Sequence, residues 1–248
     1  MGIEGTSESH RQLESCAEFR SEEIAIVACF RALNSEVVAG GLVEVEFLVT
    51  NKSTAAFFLA RGRSRTKLRP AFFSFTAHLM VDGREVPLDD PTVKITERGG
   101  PATQIRIAAN ATHRETLLVN EFVCLERATS ALRPAQVGVL KLVCERPLPL
   151  ATRPREALQI KDAAMLKSGL VIEVRRDDAA LEALIGRLAR DVDASRTATV
   201  SAQREQAVSE LAALRSPKAL PYLQVLADHP DPVVQLYVAR ALKLMNQE

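Results

Sequence analysis

Tryptophan is absent from this 248-residue chain and tyrosine occurs only twice, so the aromatic platforms of sugar-binding and base-stacking sites are largely missing. Long hydrophobic runs are missing too. No window approaches the roughly 18–20 uninterrupted apolar residues of a membrane span. Glu, Arg or Asn breaks each apolar run within a few positions, and a soluble protein is expected. Charge of one sign is not in excess: 32 basic against 31 acidic side chains leave a net charge of +1, without a global pull toward nucleic acid or membrane. The opening residues lack the basic start and apolar stretch of a secretory signal. The compartment stays open, periplasmic or extracellular if a signal peptide has been removed and cytoplasmic otherwise.

Cysteines are few. Cys16, Cys29, Cys124 and Cys144 are too scattered for a disulfide scaffold, and no Cys/His pair has zinc spacing, so neither a metal nor another cofactor is expected. A hairpin turning at Arg133 and Pro134 would set Cys124 opposite Cys144. Phe122 and Cys124 would then share an inner face with Leu140, Leu142 and Cys144. Two readings stand: a cross-strand disulfide between Cys124 and Cys144, or two buried free thiols.

What is present from Glu22 to Val174 is period-two patterning with β-branched residues and turn punctuation. Glu23–Phe30, Leu42–Val49, Ala71–Val81, Glu85–Val86, Thr92–Ile95, Gln104–Ala108, Thr116–Cys124, Val137–Cys144 and Gly169–Val174 read as strands. Val43, Val45, Phe47 and Val49 share one face of the second. Asp82-Gly83 has the chemistry of a two-residue hairpin turn. No long amphipathic helix interleaves, which points to an antiparallel β-sandwich rather than an α/β fold.

After Arg176 the period becomes helical. Leu181, Leu184, Ile185 and Leu188 fall on one face behind an Asp177 or Asp178 N-cap. A second helix carries Ala207, Val208, Leu211 and Leu214. Ser216-Pro217 opens a third with Leu220, Leu223 and Leu226, and Asp231-Pro232 opens a fourth with Val234, Val238, Leu242 and Met245. Arg204–Leu211 can be laid over Gln235–Leu242 with polar, small apolar and Leu positions coinciding. With Ala219–Leu223 and Asp231–Val234, this resembles the HEAT repeat family in its short, bilin-lyase-like form. A β-sandwich running into such helices also resembles a group of exported bacterial proteins, with Val119–Phe122 similar to a late hairpin of their Ig-like domains. The resemblance implies a mainly β fold with an α tail: a flexible segment 1–21, an Ig-like sandwich over 22–176, and four helices in HEAT-like pairs over 177–248.

The sharpest chemical feature is the alternation Arg61, Arg63, Arg65, Lys67 and Arg69, in a stretch without an acid from Phe47 to Val81. On an extended backbone alternate residues recur on one face about every 6.6–6.8 Å, which suits an anionic ligand such as an acidic polymer. A solvated loop or a protected edge strand is the other reading. The intervening Gly, Ser, Thr and Leu give bases nothing to stack on, so nucleic acid is not expected. His113 and Glu115 could cooperate from one strand face, yet no nucleophile accompanies them and a solvated face is the expectation. Asp82, Asp89 and Asp90 read as turn acids, because calcium-loop spacing is absent. No catalytic residue is assigned.

The functional expectation is a non-catalytic binding or scaffold protein. Two short repeats leave an apolar end unless something covers it, and Tyr237, Leu244 and Met245 mark the end expected to meet a protein partner. The alternative is an enzyme of bilin-lyase-like or hydrolytic type.

Overall fold

The computed structural model describes residues 12–64, 70–89, 99–194 and 201–245. Among the described residues, twelve strands form three sheets. The first orders β1 (Glu14–Arg20), β2 (Ala25–Ala32), β4 (Glu44–Asn51) and β9 (Thr112–Leu118), each antiparallel to its neighbour. The second orders β3 (Glu36–Val38), β12 (Ala164–Arg175), β10 (Val137–Leu148), β6 (Ser74–Val81) and β7 (Arg84–Leu88), antiparallel except for the β3–β12 pair. A smaller sheet joins β11 (Leu150–Ala151), β5 (Phe57–Ser64) and β8 (Gly99–Ile107). The expected strand at Thr92–Ile95 lies outside the described residues.

Alternation decides what faces inward. Ile26, Ala28 and Phe30 of β2, Val45, Phe47 and Val49 of β4, and Leu140, Leu142 and Cys144 of β10 belong to one core between the two larger sheets. The fold is therefore a β-sandwich. Phe30 meets Phe73 and Phe75 edge-on, with ring centroids 6.3 and 6.0 Å apart, and Phe73 meets Phe47 at 5.4 Å. Each buried ring contributes about 1.5–3 kcal/mol by leaving water. Asp82 and Gly83 both have positive φ, as the tight turn between β6 and β7 requires.

Two sequence expectations change here. Residues 14–20, read as part of a flexible segment, form β1, which turns Leu13, Ala17 and Phe19 toward the core. The inward row is weak in sequence because Ser15 and the small Ala17 stand between Leu13 and Phe19. Cys124 and Cys144 are both buried and carry no disulfide, and Cys16 is bonded to Cys29 instead. The chain leaves β9 at Leu118 for a 3-10 turn, Val119–Glu121, and then α1 (Arg127–Ala131). β10 consequently pairs with β6 and β12, and Cys144 lies opposite Phe75 and Ser168. Cys16 and Cys29 are direct partners on β1 and β2, with Cα atoms 4.1 Å apart.

Helices α2 (Asp178–Ala194), α3 (Ser201–Leu214), α4 (Leu220–Leu226) and α5 (Pro232–Met245) form the C-terminal part around a second core. Asp177 caps α2 by accepting from the Ala180 amide, and Ser216 accepts from Lys218 at the turn before α4. The sandwich supplies part of this core, since Val38 and Leu42 pack against it. Gly40 has φ +74°, and a Cβ there would sit 2.5 Å from Thr129 Oγ1 and 3.5 Å from Leu181, so the glycine lets loop and helix approach. Asn120, fully buried, accepts from the Val43 amide and donates to the Gly41 carbonyl, holding the same loop. Among the described residues, no helix is long and apolar enough to cross a membrane.

Candidate functional site

β9 turns His113, Glu115 and Leu117 to the same side as Val49, Phe47 and Val45 of β4, its cross-strand partners. That side is the interior. The expected solvated face is corrected: the Glu115 side chain keeps 12% of its exposure and His113 21%. Facing them from β10 is Arg146, fully buried, in the row that otherwise reads Leu140, Leu142, Cys144 and Leu148. Its guanidinium lies 4.6 Å from the Phe47 ring centre and 4.8 Å from that of Phe73. It donates to the Pro147 carbonyl at 2.8 Å and the Ala60 carbonyl at 3.1 Å.

Arg61 completes the cluster. On β5, Phe57 and Leu59 are buried in the core, and Arg61 follows on their side at the rim, donating to Glu115 Oε1 at 3.3 Å. His113 Nε2 stands 3.7 Å from Glu115 Oε2. Burial pushes the Glu115 carboxyl up, but His113, Arg61 and Arg146 together hold it below its ordinary value. Burial likewise pulls Arg146 down to about 10, against the support of Glu115. Two guanidinium groups thus share one carboxylate, so the cluster carries net positive charge. Among the described residues, His113 Nε2, Glu115 Oε2 and Arg146 Nε make no hydrogen bond. An ionised Glu115 is no general acid, and the cluster includes no nucleophile.

The structure therefore brings Arg61, His113 and Glu115 together. Arg63 follows on β5 where the β5–β8 register shifts between Gly62 and Ser64. Arg65, Lys67 and Arg69 lie outside the described residues. Arg146 was missed by sequence reasoning, although an arginine inside an alternating apolar row was itself the signal.

The expected partner-binding end needs correction as well. Tyr237 and Leu244 retain only 5% and 6% exposure, and Met245 is half-buried against the helical core. Both line a cleft of about 10 Å³, room for one water, whose other walls include Glu121, Ser209 and Arg215. Ser209 donates to Glu121 at 3.3 Å, so the sandwich itself covers this end. Among the described residues of the helices, the exposed large apolar side chains are instead Tyr222 and Val225 of α4 and Val233 and Leu236 of α5. Val225 is 78% and Leu236 53% exposed. Helical periodicity could not show this, because it marks an apolar stripe without naming what covers it.

A separate cleft of about 300 Å³ lies between the end of β1 and the β10–β11 corner, lined by Phe19, Ile24, Leu148, Leu150, Ile160 and Ala164 among others. Glu14 stands beside Cys16 and Cys29 within 4.8 Å, but the two sulfurs are joined in the disulfide and offer no thiolate to a metal.

No protein-family model and no curated protein matches the chain. Among solved structures it is similar to the sporulation control protein Spo0M of Bacillus subtilis, at 9% identity and a TM-score of 0.28. That match covers 66% of this chain and 53% of Spo0M, so the chain spans about half that protein's length. It is also similar to the CARDB domain of the PF1109 protein of Pyrococcus furiosus, solved in complex with di-metal ions. There the identity is 9%, the TM-score 0.25, and the coverage 64% of this chain and all of that one. The third is an ASH/PapD-like domain of human CEP192, with 9% identity, a TM-score of 0.24, and coverage of 60% of this chain and 86% of that domain. Likenesses at this level assign neither a function nor a site.

Proposed function

We propose that the protein is a non-catalytic binding module whose outer α4–α5 surface meets a protein partner. The observation that carries this is the exposure of Tyr222 and Val225 on α4 and of Val233 and Leu236 on α5, two successive helices packed on each other. Exposed apolar side chains gathered in one region are a mark of interaction surfaces. In this reading the helices are HEAT-like pairs behind an Ig-like sandwich. Support comes from the packing of α2 on α3, α4 on α5 and α3 on α5, the last two being the segments that repeat in sequence. Lys218, in the turn before α4, and Lys243, in the last turn of α5, serve as crosslinking handles. Crosslinking in an extract of the native host should yield one stoichiometric partner through these lysines. The double variant Val225→Glu, Leu236→Glu should lose it at an unchanged Tm. Identical crosslinks from both proteins would reject the reading.

A second reading has its own observation, the net positive charge of the Arg61–Glu115–Arg146 cluster, whose Arg61 is the first residue of the basic run in sequence. An anionic polymer would bind along Arg61, Arg63, Arg65, Lys67 and Arg69 by charge rather than by any single residue. Retention on heparin at low salt should then fall steeply with added salt and vanish when Arg63, Arg65 and Lys67 are all changed to Glu. Equal retention of this triple variant would dismiss it.

A further inference from the structure

Strand β1 differs from β2, β4 and β10 in having no buried side chain: its residues alternate between exposed and half-buried along its whole length. Leu13, Ala17 and Phe19 only lean on the core. On its free side β1 runs beside β12, where the Val171 amide donates to the Gln12 carbonyl at 2.9 Å and Ser168 Oγ donates to the Ser15 carbonyl at 3.4 Å. β3 pairs with β12 only at Glu173–Arg175. β1 therefore covers an edge of each large sheet, held by its ladder to β2, by the Cys16–Cys29 bond and by these few contacts with β12 and the core. Access to that bond is one-sided, since Cys16 is exposed while Cys29 is buried.

We infer that the Cys16–Cys29 disulfide is a thiol–disulfide exchange site for a small dithiol, and that it acts as a releasable clasp on β1. A thiolate of the dithiol attacks Cys16 Sγ, forming a mixed disulfide as the Cys16–Cys29 bond breaks and Cys29 leaves as thiolate. The second thiolate of the dithiol then attacks its own sulfur in the mixed disulfide and releases Cys16. The dithiol ends as a cyclic disulfide, oxidised by two electrons, and the protein as two thiols that take up the two protons. Cys124 and Cys144 do not compete, because both are buried. Burial also pushes the Cys144 thiol up to about 12, far from its thiolate. Once released, β1 uncovers the amide edges of β2 and of the first half of β12, which can accept another strand.

The test uses the native full-length chain with dithiothreitol as the dithiol. Intact mass should show the gain of two hydrogens without unfolding, and trapping with a charged monothiol should place the mixed disulfide on Cys16. Hydrogen exchange of the 14–20 amides should then accelerate on the order of tenfold or more, while β4 and β10 keep their protection. The double variant Cys16→Ser, Cys29→Ser should exchange at the same fast rate without reductant. Should that variant fail to fold, the reduced and alkylated wild-type chain supplies the same measurement. A bond that resists millimolar dithiothreitol until the chain unfolds would overturn the proposal, as would a reduced chain whose β1 amides exchange as slowly as before.

Discussion

The guanidinium of Arg215 donates to the backbone carbonyl of Asn120 at 2.7 Å, joining the residue after α3 to the buried turn that follows β9. Asn120 is the same residue whose side chain fixes the 41–43 loop, so one amide and one guanidinium tie helices, turn and loop together. Arg215→Ala should destabilise the protein by about 1–3 kcal/mol, because it strips a charged donor from a buried carbonyl. Chemical denaturation measures this, and the loss should fall on the whole chain.

Leu181 of α2 is buried against the Gly40 loop. Leu181→Ala should cost about 2–5 kcal/mol, and half-buried Leu184→Ala less. Both should melt in a single calorimetric transition. Two separated transitions, with only one displaced, would mean that the helices and the sandwich fold independently.

Glu115 gives an acid-side signature. Its folded carboxyl is held below its ordinary 4.5, so its contribution is complete above that pH and is lost as pH falls through the lower folded value. Glu115→Gln should be less stable than wild type by about 1–3 kcal/mol at pH 7. The gap should narrow steadily below pH 4.5, as read by denaturation at a series of pH values.

Thiol counting on denatured, unreduced protein should return two free thiols, and peptide mapping should join Cys16 to Cys29. In the folded protein Cys124 and Cys144 should be unreactive toward thiol reagents. Four free thiols would contradict the pairing.

The two apolar sets on the last helices should respond in opposite ways. Val225→Glu and Leu236→Glu should each move stability by less than about 0.5 kcal/mol, because these side chains already face water. Tyr237→Ala should cost about 3–5 kcal/mol, as truncation of a buried aromatic does. Thermal melts separate the two classes directly.

Strand identity was legible wherever one face is buried and the other wet, as in Val43–Val49, and so were the Asp82-Gly83 turn and the caps at Asp177 and Ser216. Pairing was less legible, because Phe122 and Cys124 match the period of the Cys144 row although the strand before them ends at Leu118. The short helix between them decided the matter, and its sequence, Arg127–Ala131, has too few apolar residues to announce itself. At the candidate site, Arg61, His113 and Glu115 were visible as residue types. Their inward direction was not, since it depends on Arg146 and the Phe47–Phe73 pair arriving from other strands.

The joint between sandwich and helices has almost no slack. β12 ends at Arg175 and α2 starts at Asp178, while Arg176 is pinned to the Leu132 carbonyl at 2.7 Å and to the Asp178 carboxylate. α2, about 25 Å long from its 17 residues, is thus a spar set directly on an inner strand of the five-stranded sheet. A twist of α2 about its first turn therefore has only Arg176 and Asp177 between it and β12, and both are already engaged, Arg176 by the Leu132 carbonyl and Asp177 by the Ala180 amide.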